Sequence, residues 1–280
     1  MMLKQTLDEI LKRYQIIPDK KLDQNFLIDE NIIRKLISYG HLTRSDRVLE
    51  IGAGSGFLTK ELSNKAKVVI AIEIDEQFRP ILEKLKGNVN VVYADAYKFL
   101  DKEGRRKIGK VSKVICNMPF SFVQPILHRF TNWGPDDLIW ITPTSFVNKV
   151  NKDHLLGAYF HARIIEKIPS NVFFPEPNTI LWMIRLERIR EPKEPRETGI
   201  FIRRQLYHQE DKKLKNALRE GLINAFQEIL GKRLTKKQAR EFIKVMKIEE
   251  EELEKLTAHT SAALYFQIAQ NVQALIQRQL

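Results

Sequence analysis

Hydrophobic and polar positions follow two alternating patterns through the first 190 residues. Short runs of consecutive apolar residues are typical of strands that are buried on both faces. Such runs predict strands at 48–51, 67–75, 89–93, 111–116 and 137–142, then a pair at 162–168 and 179–186. We expect that last pair to run antiparallel at a sheet edge. Because helical spacing separates most of these runs, the pattern predicts an α/β fold whose sheet carries helices on both faces.

A charged, proline-containing stretch at 188–198 separates this region from a different pattern. Beyond it we find no strand pattern, and apolar residues at helical spacing predict helices at 206–230, 236–245, 249–256 and 261–280. Thr235 and Thr260 are candidate N-caps there. Near the start of the chain we predict an amphipathic helix at 2–14 and a helix at 30–38 capped by Asp29. We expect an α/β domain over 1–190, with a helical extension at its start, and a helical domain over 191–280.

Three glycines, Gly52, Gly54 and Gly56, interrupt the first strand pattern and precede a predicted helix. Glycine lets backbone N–H groups approach a ligand closely, and the positive end of the following helix points into the same space. The arrangement predicts a site for a nucleotide-like ligand. In the nicotinamide dinucleotide fingerprint two residues separate the second and third glycines, but only Ser55 does so here, and Phe57 takes the last glycine position. A nicotinamide oxidoreductase is therefore the weakest interpretation.

Acidic residues follow the next two predicted strands. Glu73 lies 21 positions after Gly52, close to the spacing of a ribose-binding acid, and can accept hydrogen bonds from both ribose hydroxyls. Asp95, beside the apolar Ala96, can hold an adenine amino group. Each acid taken alone is better explained as a helix N-cap or turn residue. Their succession after the glycines favours the ligand site.

The fourth predicted strand ends in Asn117, Met118, Pro119 and Phe120. The proline holds Met118 extended, so the Asn117 side-chain oxygen and the Met118 carbonyl can both face a cleft. Two such acceptors can bind the two hydrogens of an exocyclic amine on a base, while Phe120 stacks on the ring. A turn that only ends the strand is the alternative. Earlier in the chain, the amides of Gln24 and Asn25 can fold over a ligand.

Composition narrows the class of partner. The formal net charge of +12 and a pI near 9.6 favour a polyanion, with nucleic acid as the first candidate. A lysine-, arginine- and glutamate-rich surface of the thermophile type is the alternative. The single cysteine, Cys116, fits a reducing compartment, and the sequence contains neither a membrane-spanning run nor a secretion signal. We therefore expect a cytoplasmic protein, and we expect it to be a monomer. We expect no metal, because the histidines are too scattered in sequence to suggest a ligand set.

Several of these segments resemble the ribosomal RNA adenine dimethyltransferases and their relatives, the erythromycin-resistance rRNA methyltransferases. The similar segments are 24–27, 50–59, 73–75, 95–96 and 174–177, and the small helical domain is at the family's position. The resemblance implies a Rossmann-like class I methyltransferase sheet that binds S-adenosylmethionine through Gln24, Asn25, Leu27, Gly52, Gly54, Glu73, Asp95, Ala96 and Asn117. It also implies that Asn117, Met118, Pro119 and Phe120 form the catalytic site for the target base, and that the helical domain contacts RNA or the ribosome.

Two segments depart from the family. The family usually has leucine or isoleucine and then tyrosine where Met118 and Phe120 stand, and 142–145 replaces its Gln-Lys-Glu motif. We therefore identify the chain as a divergent paralogue that methylates or dimethylates an exocyclic amine, either adenine N6 or cytidine N4, in ribosomal RNA or a small-subunit precursor. One alternative is a non-catalytic RNA-binding ribosome-assembly factor that retains the fold. Another is a small-molecule N-methyltransferase.

Overall fold

The computed structural model describes residues 2–119, 122–131, 133–153 and 155–278. The chain divides into two units, Met1–Val150 with His161–Arg188 and Asn151–Phe160 with Ile189–Leu280. This division differs from the domains expected from the sequence because the segment Asn151–Phe160 belongs to the second unit, although it precedes the last strands of the first.

The strands are β1 (Phe26–Leu27), β2 (Arg47–Ile51), β3 (Val68–Glu73), β4 (Val89–Tyr93), β5 (Lys113–Cys116), β6 (Asp137–Pro143), β7 (Phe160–Ile168), β8 (Phe173–Phe174) and β9 (Leu181–Arg188). Among the described residues, seven of them form one sheet in the order β4-β3-β2-β5-β6-β9-β7. The pairs from β4 to β6 are parallel. Strand β9 runs antiparallel to β6 and separates it from β7, which lies at the edge. The α/β fold predicted from the apolar runs is confirmed.

The helices of the first unit are α1 (Met2–Tyr14), α2 (Glu30–Tyr39), α3 (Phe57–Ser63), α4 (Arg79–Leu82), α5 (Ala96–Phe99), α6 (Lys102–Ile108), α7 (Val123–Thr131) and α8 (Thr144–Lys152), of which α8 extends into the second unit. Apolar residues of α2 and α3 pack against β2, β3 and β6 in one cluster. Residues of α1 and α4 pack against β3 in another. Burial on both sides explains why the strands read as continuous apolar runs.

A two-stranded ribbon joins distant parts of the first unit. Strand β1 pairs antiparallel with β8, with Phe26 opposite Phe174 and Leu27 opposite Phe173. The Ile28 N–H also donates to the Val172 carbonyl at 2.8 Å. Phe173 is buried, and Phe174 packs beside α1. These aromatic residues therefore support the segment around β1 rather than projecting as a free platform.

The second unit consists of α9 (Leu156–Tyr159), α10 (Thr198–Tyr207), α11 (Leu214–Leu230), α12 (Lys236–Val245), α13 (Glu250–Glu254) and α14 (Ala262–Gln277). The predicted continuous helix 206–230 is wrong, because the chain leaves the helix between α10 and α11. There the N–H groups of Leu214 and Thr257 donate to the carbonyls of Lys255 and Lys212, respectively. Thr235 caps α12 as predicted, and the structure adds a capping box with Gln238, whereas α14 is capped by Ser261 and not by Thr260.

Candidate active site

A crevice of about 190 Å³ lies at the carboxyl ends of β2, β3 and β5. Ligands of open α/β sheets bind outside the carboxyl ends of the strands, near the point where the strand order reverses. Here that point lies between β2 and β5, because β3 and β4 extend the sheet to one side of β2 and β6 extends it beyond β5. The topology therefore predicts the binding site where the crevice is found.

The glycine turn after β2 forms one wall of the crevice. Gly52 and Gly54 have φ values of +79° and +49°, a region that residues with a side chain rarely adopt. A Cβ on Gly54 would lie 3.1 Å from the Phe26 ring, and one on Gly52 would lie 3.3 Å from Pro119 Cδ. The turn thus packs against both the β1 segment and the corner after β5, and a side chain at either glycine would press these walls apart.

Glu73 ends β3 and fixes the same turn from the other side. Its Oε2 accepts a hydrogen bond from the Gly54 N–H at 2.7 Å, and its Oε1 accepts one from the Asp75 N–H at 2.8 Å. Burial raises the pKa of Glu73, while these backbone donors act to lower it. Each carboxylate oxygen has a second lone pair, so both can accept a further hydrogen bond from a ligand.

The loop before β1 covers the crevice and is held by its own side chains. Gln24 Nε2 donates to Asp75 Oδ2 at 2.7 Å, and Gln24 Oε1 accepts from the Asp19 N–H at 2.7 Å. The amide of Asn25 turns back to donate to the Asp23 carbonyl at 3.1 Å. Both predicted amides therefore shape the loop. Asp75, which we did not predict as a site residue, anchors it across 51 positions of sequence.

Asn117 stands at the end of β5 with its amide oriented. Its Nδ2 donates to the Asn25 carbonyl at 2.8 Å. Its Oδ1 is buried and has no hydrogen-bond partner among the described residues. Because a buried acceptor without a partner costs free energy, this oxygen is suited to a donor that arrives with a ligand.

Asp95 behaves as the N-cap alternative predicts. Its Oδ1 accepts hydrogen bonds from the N–H groups of Tyr97 and Lys98, at 2.9 and 3.3 Å, at the start of α5. The residues on either side of it, Ala94 and Ala96, line the crevice and form an apolar wall beside Ile74.

Most of the predicted residues come together in this crevice. Its lining includes Gln24, Asn25, Leu27, Gly52, Gly54, Glu73, Ala96, Asn117 and Pro119. Asp95 and Met118 do not line it, and the Met118 side chain is buried. Phe120, predicted to stack on the target base, lies outside the described residues.

Glu50 is a lining residue that the sequence-based prediction missed. It is 1% exposed, and its Oε2 has no hydrogen-bond partner in the described part of the chain. Burial raises the pKa of Glu50 to about 8, and the nearby Glu73 contributes to the rise. The available signal was a single acidic residue inside the apolar run of β2.

Comparisons with known proteins agree on one family. The family model for Ribosomal RNA adenine dimethylase matches residues 18–254. Ribosomal RNA small subunit methyltransferase A of Clostridium botulinum is 30% identical over 243 residues, which cover 78% of this chain and 88% of that protein. The protein of the same name from Lysinibacillus sphaericus is 32% identical over 240 residues, covering 77% and 81%.

Two solved structures share the fold at lower identity. A dimethyladenosine transferase from Plasmodium falciparum has a TM-score of 0.53 and 18% identity, with 86% of this chain and 94% of that chain covered. The 23S rRNA methyltransferase ErmE has a TM-score of 0.54 and 19% identity, with 89% and 99% covered.

Proposed function

Because the chain belongs to the ribosomal RNA adenine dimethylase family and is an S-adenosylmethionine-dependent rRNA methyltransferase, we propose that it dimethylates adenine N6 in small-subunit rRNA. The relatives that share about 30% of their residues with it are named for the small subunit. The departure at 142–145 was the reason to consider cytidine N4, and the family match favours adenine over that alternative.

The orientation of Asn117 is the observation that carries the proposal. Since Nδ2 is engaged by the Asn25 carbonyl, the side chain presents Oδ1 as an acceptor. An exocyclic base amine has two N–H donors, so one of them can satisfy this buried oxygen. Holding the amine in this way directs its nitrogen lone pair toward an electrophile. A residue that only ended the strand would not need a buried acceptor here.

The crevice residues fit S-adenosylmethionine, which supplies an electrophilic methyl group when it is bound. Glu73 offers carboxylate lone pairs to ribose hydroxyls, and the apolar wall of Ile74, Ala94 and Ala96 suits the face of a base. Glu73 places a carboxylate at the crevice, which suits a cationic ligand, whereas Glu50, with its pKa raised to about 8, carries little charge near pH 7. The residues from Gln24 to Leu27 also line the crevice and would contact a ligand bound there.

Asp95 does not line the crevice, but it lies between Ala94 and Ala96, which do, and each of its carboxylate oxygens has a role in this proposal. Both hydrogen bonds from α5 end on Oδ1. We propose that Oδ2 receives the adenine amino group of the bound donor, and that the cap on Oδ1 keeps the carboxylate in place for this contact.

The second unit is proposed to contact RNA through α12. Basic side chains on its exposed face are Lys236, Lys237, Arg240 and Lys244. Lysines and arginines that neutralise phosphates release counterions and make binding salt-dependent. Replacing Lys236 and Lys237 together by glutamate is expected to weaken rRNA binding while leaving the affinity for the donor unchanged.

The direct test is methyl transfer from deuterium-labelled S-adenosylmethionine to unmodified small-subunit rRNA, followed by nucleoside mass spectrometry. We expect labelled N6,N6-dimethyladenosine. Labelled dimethylcytidine would identify the other amine, and retention of RNA without incorporation would identify a binding factor; either result contradicts the proposal.

A further inference from the structure

The first unit contains a second cavity, whose lining residue Tyr97 directly follows Ala96 of the crevice. This groove, of about 780 Å³, is formed by α5, α7, the carboxyl end of β6 and α8. We call it the α7–α8 groove. Within the described residues it shares no lining residue with the crevice. It is therefore a separate cavity in the first unit.

Sheet topology places the groove beside the acceptor corner. Strand β5 lies between β2, whose end forms the crevice, and β6, whose end forms the groove. The parallel register sets Cys116 opposite Trp140, so Thr142 on β6 is one position beyond the level of Asn117 on β5. A strand of nucleic acid with one base at Asn117 would extend its neighbouring nucleotide over the end of β6.

Tyr97 supplies an aromatic surface at the groove. Its side chain is 40% exposed, and the Arg129 guanidinium carbon lies 4.0 Å from the centroid of its ring. The guanidinium covers one face of the ring and restrains its position through a cation–π contact. A base that stacks on such a ring gains affinity with little dependence on its identity.

Thr142 adds a buried polar atom to the groove. Its side chain is fully buried, and its Oγ1 has no hydrogen-bond partner among the residues described. Apolar β-branched residues would fill the same volume without this cost, since an unpaired buried hydroxyl is unfavourable. A ligand that carries hydroxyls or a base edge can supply the missing partner.

The charge of the groove suits a phosphate. Lys149 lies one helical turn after Ser145 on α8, so both side chains share a face, and both are exposed. None of the described lining residues is acidic. An anionic backbone can therefore approach without repulsion from the groove itself.

We infer that the α7–α8 groove binds the nucleotide next to the methylated one in a single-stranded stretch of RNA. The base of this nucleotide stacks on Tyr97, its phosphate contacts Lys149, and a sugar or base atom bonds Thr142. The inference rests on the proposed function for the identity of the substrate. Binding of the neighbour holds the strand so that the target base stays at Asn117.

The test compares the wild type with Tyr97→Leu, Tyr97→Phe and Lys149→Gln in methyl transfer to transcribed small-subunit rRNA at saturating donor. Loss of one stacked base is expected to raise the KM for RNA about five- to a hundred-fold in Tyr97→Leu, whereas Tyr97→Phe keeps the ring and stays within about twofold. Lys149→Gln is expected to raise the KM for RNA. It should also reduce the number of counterions released on RNA binding, read from the dependence of affinity on salt concentration, by about one. The matched control is Lys67→Gln, an exposed lysine directly before β3 at the opposite end of the sheet, and it should change neither quantity.

Calorimetric titration with S-adenosylhomocysteine shows whether each variant keeps a folded crevice, and we expect the same affinity in all. Equal KM values for the wild type, Tyr97→Leu and Lys149→Gln would overturn the inference. Lys149 is exposed, so its result decides the question even if Tyr97→Leu does not fold. Failure of the proposed function looks different, because the wild type itself would then form no labelled N6,N6-dimethyladenosine in rRNA. In that case filter binding of the same RNA to the same variants still tests the groove.

Discussion

Replacing Glu73 by glutamine tests how the crevice is built. The carboxylate accepts one backbone hydrogen bond on each oxygen, from Gly54 and from Asp75. A glutamine can accept only one of them, and whichever way its amide turns, the NH2 group faces a backbone N–H. The substitution keeps the size of the side chain and changes only its hydrogen bonding.

The expected loss follows from these two contacts. One hydrogen bond to a charged acceptor is lost and one buried donor is left without a partner, which costs about 1.5–3 kcal/mol. Urea unfolding, followed by tryptophan fluorescence, should show a lower free energy of unfolding by that amount. Calorimetric titration with S-adenosylhomocysteine should show at least a tenfold weaker affinity, because the glycine turn and the proposed ribose contact are both disturbed.

Asp95→Asn is the matched control. Both hydrogen bonds from α5 fall on a single oxygen of Asp95, so an asparagine can keep the cap. We expect its unfolding free energy to stay within about 0.5 kcal/mol of the wild type, while its affinity for the donor falls through loss of the proposed contact with the adenine amino group. An unchanged unfolding curve together with an unchanged donor affinity in Glu73→Gln would show that Glu73 neither fixes the glycine turn nor contacts the donor.

Three further predictions concern other residues that line the crevice. Burial raises the pKa of Glu50 from 4.5 to about 8, so the folded chain binds this proton more tightly and its stability falls as the pH rises between these values. In urea unfolding at pH 5 and pH 8.5, Glu50→Gln should reduce that fall in the free energy of unfolding by a few kcal/mol. The exposed Glu228→Gln should leave the fall unchanged. Gly54→Ala should lower the thermal midpoint more than Gly87→Ala, because both glycines have positive φ but only at Gly54 would the new Cβ lie 3.1 Å from a ring. Asn117→Ala should lower the rate of methyl transfer about a hundredfold or more and change donor affinity much less; full activity would exclude the role of its oxygen.

Local patterns predicted the elements that depend on neighbouring residues. The apolar run at 48–51 is β2 to within one residue, since burial on both faces requires such a run. The N-cap at Thr235 was predictable for the same reason, because the residues that it caps lie within three positions. The tight turn at the three glycines was predictable as well, since glycine permits the positive φ values that are found there.

Contacts between distant segments were not predictable in this way. The pairing of β1 with β8 joins residues near 26 with residues near 174, and neither segment has a sequence feature that indicates which strand it pairs with. The direction of the Asn117 amide depends on the Asn25 carbonyl, 92 positions earlier. Asp95 illustrates the reverse difficulty, because the same residue type serves as an N-cap and as a ligand, and sequence alone left both roles open.

The central claim is that the donor lies in the crevice between the glycine turn and Glu73, next to the Asn117 corner. A crystal structure with S-adenosylhomocysteine tests it most directly. We predict that the ribose hydroxyls contact Glu73, that the adenine lies against Ala94 and Ala96, and that the sulfur faces Asn117. A ligand bound elsewhere, or a sulfur directed away from Asn117, would contradict the account.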